Sequence, residues 1–231
     1  FNPVAKMPLV EIVHGQATQP DAVQAALAFA RRLDKLPLPC ASAPGFVVNR
    51  ILFPYMLEAM LAAQEGVPLK VVDEAALAFG MPQGPIELAD TVGLDVAYHV
   101  GVVLTTAFGG PSPEALKPYL EAKKLGRKSG EGLYRWVDGR PQKPDAAGAR
   151  APDDLEDRLI LPMLNVAVAC LRERVVTDAD LLDAGVIFGT GFAPFRGGPL
   201  HYARARGIDA VVARLRALEA RYGARFAPDP G

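Results

Sequence analysis

Cysteine is nearly absent: 231 residues hold only Cys40 and Cys170, 130 positions apart. That excludes a disulfide scaffold, and the spacing is too wide for a zinc or redox motif, so no metal is expected. The pair reads as two unpaired core thiols of a protein in a reducing compartment, and the cytoplasm is the expected location. No apolar stretch approaches the roughly 18 residues of a membrane span, and no charged segment followed by an apolar one marks a secretory signal. Strong charge of one sign is missing too, with 25 basic and 26 acidic side chains and a net charge of −1. Without a block of like charges, nucleic acid and anionic lipid are excluded as expected partners.

Histidine is scarce as well: His14, His99 and His201 lie far apart. A phosphate cradle is also lacking. Gly189-Thr-Gly-Phe-Ala-Pro194 ends in proline and follows a helical pattern, and Gly126-Arg-Lys-Ser129 lacks the Gly-Lys-Ser order of a phosphate loop. Dinucleotide binding by these residues alone is therefore not expected. What the chain does have is apolar residues, 50% against 22% charged, ample for a buried core in one or two domains.

Leu9 to His14 is a short apolar run with one charge and reads as a mostly buried strand. Thr18 offers an N-cap and Pro20 a first turn for a helix running to about Asp34. Leu36 to Ser42 is proline-rich, which suits an edge strand or extended connector. Residues 1–44 thus look like the end of a β-α-β unit.

After Pro44-Gly45 the texture turns helical. Helices are expected from Phe46 to Glu65, Leu69 to Phe79 and Leu94 to Phe108, with a fourth starting at Ser112 as N-cap and Pro113. Gly80 to Pro85 reads as a rigid loop, Gly126 to Trp136 as a turn into a short hairpin, and residues 138–149 as a linker. Beyond it the pattern returns: Asn49–Ala59 (NRILFPYMLEA) aligns without gaps on Asp157–Ala167 (DRLILPMLNVA), 108 positions later. Both segments carry a helix-interior proline, Pro54 and Pro162, and such a proline costs about 3 kcal/mol. Meeting it at matched positions predicts a duplicated helical unit, roughly 45–137 and 150–222, the second within 150–231. Asp73–Leu88 and Asp183–Leu200 extend the match as helices ending in Gly, Pro and aromatic residues.

Two polar residues stand in apolar company. Glu11, inside PLVEIVHG, reads either as an exposed strand residue or as the orienter of a cationic or imidazole partner. Strand alternation puts His14 on the opposite face, so those two are poor partners. Asn49, in the first turn of a long apolar helix, reads as a structural cap or as a donor to a substrate carbonyl.

FNPV, VEIV, PGFVVNR, GRKSGEGLY and GFAPFRGG, in this order and spread over essentially the whole chain, resemble (3S)-3-hydroxyacyl-CoA dehydrogenases, and the duplication is similar to the multifunctional fatty-acid β-oxidation enzymes. The resemblance implies a mainly α fold: a duplicated helical domain, like the C-terminal domain of 6-phosphogluconate dehydrogenases, after a short β-α-β remnant of a Rossmann domain. It implies NAD as cofactor, an acyl-CoA substrate, an upstream Rossmann domain with or without a hydratase domain, and a thiolase subunit as candidate partner. The family motif reads His-Phe-Phe-Asn-Pro, so its catalytic His falls two positions before Phe1; further sequence upstream is expected, and the 231 residues alone are expected to be inactive. By the same resemblance Glu11 is the carboxylate that orients that His, Asn2 contacts the cofactor and Asn49 the substrate. Phe188 stands where the second copy in such enzymes can carry a substrate-contacting Tyr, so that hydroxyl is missing. The alternative expectation is a non-catalytic helical module serving only the assembly of a β-oxidation complex.

Overall fold

The computed structural model describes residues 4–146 and 148–231; Asn2 lies outside them. The architecture is mostly helical, with a short parallel β-α-β segment at the start. It divides into two compact units, one of the chain up to Leu52 with Leu161–Gly231, the other Phe53–Ile160.

In the first unit β1 (Leu9–His14) and β2 (Leu36–Ala41) pair in parallel through α1 (Pro20–Arg32), with Glu11 opposite Leu38. Pro37 and Pro39 are two apart, so both missing N–H groups fall on the same side of β2 and make it an edge. The inner side is satisfied: Leu36 N–H donates to Pro8 O at 2.8 Å. On the outer side the Ala41 N–H donates to Val175 O at 2.8 Å. Thr18 does not cap α1; its hydroxyl accepts from Gly15 N, and Gln19 occupies the cap position without a side-chain bond. Cys40 and Cys170 are free and buried, and burial pushes the Cys40 thiol up to about 12.

Two long helices, α2 (Val48–Gln64) and α7 (Leu155–Arg172), carry Pro54 and Pro162, and each is shared between the units. The duplication persists in the three helices after each. In the second unit α3 (Leu69–Phe79), α4 (Pro85–Val92) and α5 (Leu94–Phe108) have 11, 8 and 15 residues. In the first, α8 (Ala179–Thr190), α9 (Pro199–Arg206) and α10 (Ile208–Tyr222) have 12, 8 and 15.

Helix α4, hidden in what the sequence presents as loop and connector, has no capping side chain of its own. Asp73 on α3 supplies it, its Oδ1 accepting from Ile86 N at 2.9 Å. In the other copy Asp183 accepts from Leu200 N at 2.7 Å and His201 N at 2.9 Å. Each borrowed cap needs a glycine before the helix: a Cβ at Gly84 would lie 2.2 Å from Asp73 Oδ1, and one at Gly198 2.4 Å from Asp183 Cβ.

Ser112 and Pro113 do not open a regular helix. A short 3-10 turn (Glu114–Leu116) precedes α6 (Lys117–Glu121), and the Ser112 hydroxyl bonds Glu114 instead. The hairpin starts later than the glycine run suggests, as β3 (Arg135–Val137) and β4 (Arg140–Gln142). Buried Asp90 anchors it, accepting from Leu133 N and Tyr134 N at 2.8 Å and from Trp136 Nε1 at 2.9 Å. Gly126 and Gly132 are required there, since a Cβ would come 2.3 Å from Asp90 O and 2.1 Å from its Oδ1. Lys143, just past β4, bridges Asp73 at 3.0 Å and Glu87 at 2.6 Å.

Asp90→Asn is expected to lower stability by about 1–3 kcal/mol, because one acceptor becomes an NH2 facing a donor in a buried site. Urea unfolding checks it; a midpoint unchanged at the same slope would mean that the anchor contributes nothing. Among the described residues no single helix is long and apolar enough to cross a membrane.

Candidate functional site

The first unit brings Glu11 to the start of α2. Its Oε1 accepts from Val47 N at 2.8 Å and Val48 N at 3.0 Å. The turn that aims both donors is unusual: Gly45 and Phe46 lie at φ 72° and 50°. For a bulky L-residue that conformation costs about 1–2 kcal/mol. It also explains why α2 begins at Val48 rather than at Phe46. Burial raises the Glu11 carboxyl above its ordinary value, and the bonds from Val48 and Val47 pull it back only in part. Its Oε2 accepts no hydrogen bond from any other described residue, so one oxygen holds the helix and the other remains for a ligand or a side chain.

Asn49 is exposed in the first turn of α2. Among the described residues its amide has no hydrogen-bond partner, so it caps nothing and joins no helix pair. Phe46, two residues before α2, is 38% exposed. Arg50, next in the chain, points the other way, buried and paired with Glu173 at 2.7 Å. His14 ends β1 and plays no part in this arrangement. Phe188 lies on α8, 44% exposed.

Two residues near Glu11 escaped the sequence reading. Gly185 and Gly189, one turn apart on α8, let that helix close on Leu38, Leu9 and Val48. Their signal was present as a Gly-x-x-x-Gly spacing inside an apolar helix, where glycine is otherwise unfavourable. The second unit holds an apolar groove along α2, α4 and α5, with Met56 and Met60 in its wall. No titratable group lines it.

The chain is similar to known proteins over its whole length. Residues 1–43 match the family model "3-hydroxyacyl-CoA dehydrogenase, NAD binding domain" and residues 45–136 its "C-terminal domain". The whole chain is 37% identical to the fatty acid oxidation complex subunit alpha of Idiomarina loihiensis, of which it covers 34%. It is 38% identical to the protein of the same name from Shewanella sp. strain MR-4, covering 35%. The chain thus spans about a third of the length of the curated relatives it matches. Among solved structures, 3-hydroxybutyryl-CoA dehydrogenase from Escherichia coli matches all of this chain over 67% of its own, at TM-score 0.82 and 24% identity, which shows a shared fold.

Proposed function

The chain belongs to the 3-hydroxyacyl-CoA dehydrogenase family, and on that premise we propose that it forms the substrate-binding and helical region of an NAD-dependent (3S)-3-hydroxyacyl-CoA dehydrogenase of fatty-acid β-oxidation. On this reading residues 1–44 end the cofactor domain, 45–137 and 150–231 are the two helical copies, and 138–149 join them. One observation carries the proposal: Asn49, an exposed amide with no hydrogen-bond partner among the described residues, follows directly on Val48, whose N–H with that of Val47 holds one oxygen of the half-buried Glu11 carboxylate, while the other oxygen accepts from none of the described residues.

In the intact enzyme NAD takes the hydride that leaves C3 of the substrate. The described residues do not build its phosphate cradle: α1 opens with Pro20, which lacks an N–H, and with Asp21, whose charge repels phosphate. Their task is on the substrate side. Glu11 Oε2 accepts from the imidazole of the family's base and favours its charged form as it takes the 3-hydroxyl proton. Asn49 donates to the substrate oxygen where electron density grows, without adding a charge. Asn2, by its place in the family motif, contacts the cofactor. The assembly-only alternative expects both polar groups to be internal caps; Glu11 does cap α2, but Asn49 caps nothing. A complex with a thiolase subunit and a cytoplasmic location fit the proposed pathway.

A polypeptide of these 231 residues alone is expected neither to bind NAD tightly nor to turn over, since general acid–base catalysis needs the base within hydrogen-bond reach. The protein that continues through the family's His motif and NAD-binding domain is expected to oxidise (3S)-3-hydroxybutyryl-CoA. Calorimetry with NAD and an assay of NADH formation on both proteins test it. Turnover by the 231 residues, or none by the longer protein, would overturn the reading.

A further inference from the structure

We propose that α8 of the second helical copy is a positioning element of the dehydrogenase site, acting through Gly189 and Gly185; the proposal rests on the function assigned above to Glu11. A helix interior disfavours glycine, so two of them one turn apart need a reason. A Cβ at Gly189 would lie 2.7 Å from Val48 Cγ2 and 2.9 Å from Leu9 Cδ2, and one at Gly185 2.6 Å from Leu38 Cδ2.

Those three neighbours share one feature. Val48 donates its backbone N–H to Glu11 Oε1. Leu9 is two residues before Glu11 and on the same face of β1. Leu38 is its partner in the parallel register. All three are nearly fully buried, at 1%, 3% and 1% exposure, so they have little room to yield. The glycines therefore let α8 bear on the strand, the neighbouring strand and the helix turn that together seat the carboxylate.

Two further ties come from the segment joining α7 to α8. Val175 O takes the last outward N–H of β2, and Glu173 holds Arg50 in the first turn of α2. The second copy thus grips both sides of the Glu11 seat, which gives it a task in the active site as well as in folding.

The test is Gly189→Ala in the intact enzyme, alone and in a Val48→Ala background. The single change is expected to lower kcat at least tenfold while leaving KM for NAD within about twofold, and to displace the acid limb of the kcat pH profile. Hydrogen exchange at the Val47 and Val48 amides, which reads the Glu11 bonds directly, is expected to accelerate. With Val48→Ala removing two of the three opposing methyls and leaving Leu9 Cδ2 room to turn aside, adding Gly189→Ala is expected to cost less than about threefold in kcat and to leave the exchange at these amides as it is in Val48→Ala alone. If Gly189→Ala does not fold, Gly185→Ala is read instead, with Leu38→Ala as the relieving background, since Leu38 is what its Cβ would meet.

Unchanged exchange at Val47 and Val48 would overturn the proposal whether or not the enzyme turns over. So would a lowered melting temperature with normal kcat and an unmoved pH profile. An intact enzyme without dehydrogenase activity would instead refute the assigned function, while exchange would still report on the seat itself.

Discussion

Arg158→Ala is expected to cost about 3–5 kcal/mol, the usual loss when one partner of a buried ion pair is removed. The guanidinium is 1% exposed and bonds Glu58 Oε1 through Nε at 2.8 Å and NH2 at 2.6 Å. It also reaches Glu65 at 2.7 Å and 3.1 Å. Glu58 is itself 2% exposed, so alanine at 158 strips a carboxylate of its guanidinium in a place water does not reach. Glu65 is 44% exposed and adds less, because water can replace the lost contact. A domain stable by about 5–15 kcal/mol loses between about a fifth and all of its margin. Replacing Arg158 and Glu58 together with apolar residues of similar volume is expected to recover most of it. Urea unfolding of the three proteins decides the matter: a loss below about 1 kcal/mol for Arg158→Ala would show that the buried pair contributes little. Arg50, which aligns with Arg158, pairs with Glu173, the counterpart of Glu65; that pair is expected to matter less to stability, since Glu173 is 37% exposed.

Asn49→Ala in the intact enzyme is expected to lower kcat by roughly 10² to 10³, the effect of losing one donor aimed at a developing oxyanion, about 2.7–4 kcal/mol. Stability is expected to stay within about 0.5 kcal/mol, because an exposed side chain with no partner among the described residues has little to lose. The combination is diagnostic, since a structural amide would show the reverse. Measuring kcat and melting temperature on the same preparation separates the two: a lowered melting temperature with near-normal kcat would remove Asn49 from the site.

Local chemistry makes much of this protein legible from its sequence. Helices α3 and α5 begin and end where the pattern places them, because glycines after Phe79 and Phe108 stop an uninterrupted apolar periodicity. Strand β2 is an edge because two prolines lie on one side of it. The matched prolines announce the duplication, since each is a costly local choice made twice. Other features depend on groups far apart in the chain, and only tertiary structure decides them. Helix α4 is two turns long and capped by Asp73 from another helix, so no local signal marks its start. Gly126 and Gly132 look like parts of a flexible turn but are there because Asp90, more than thirty residues earlier, fills the space a side chain would need. Glu11 reads equally well as an exposed strand residue or as an orienter, because sequence alone does not show that the N–H groups of Val47 and Val48 converge on one of its oxygens and leave the other open. Periodicity and capping are properties of neighbours along the chain; a borrowed cap, a buried anchor and a carboxylate's second oxygen belong to neighbours in space.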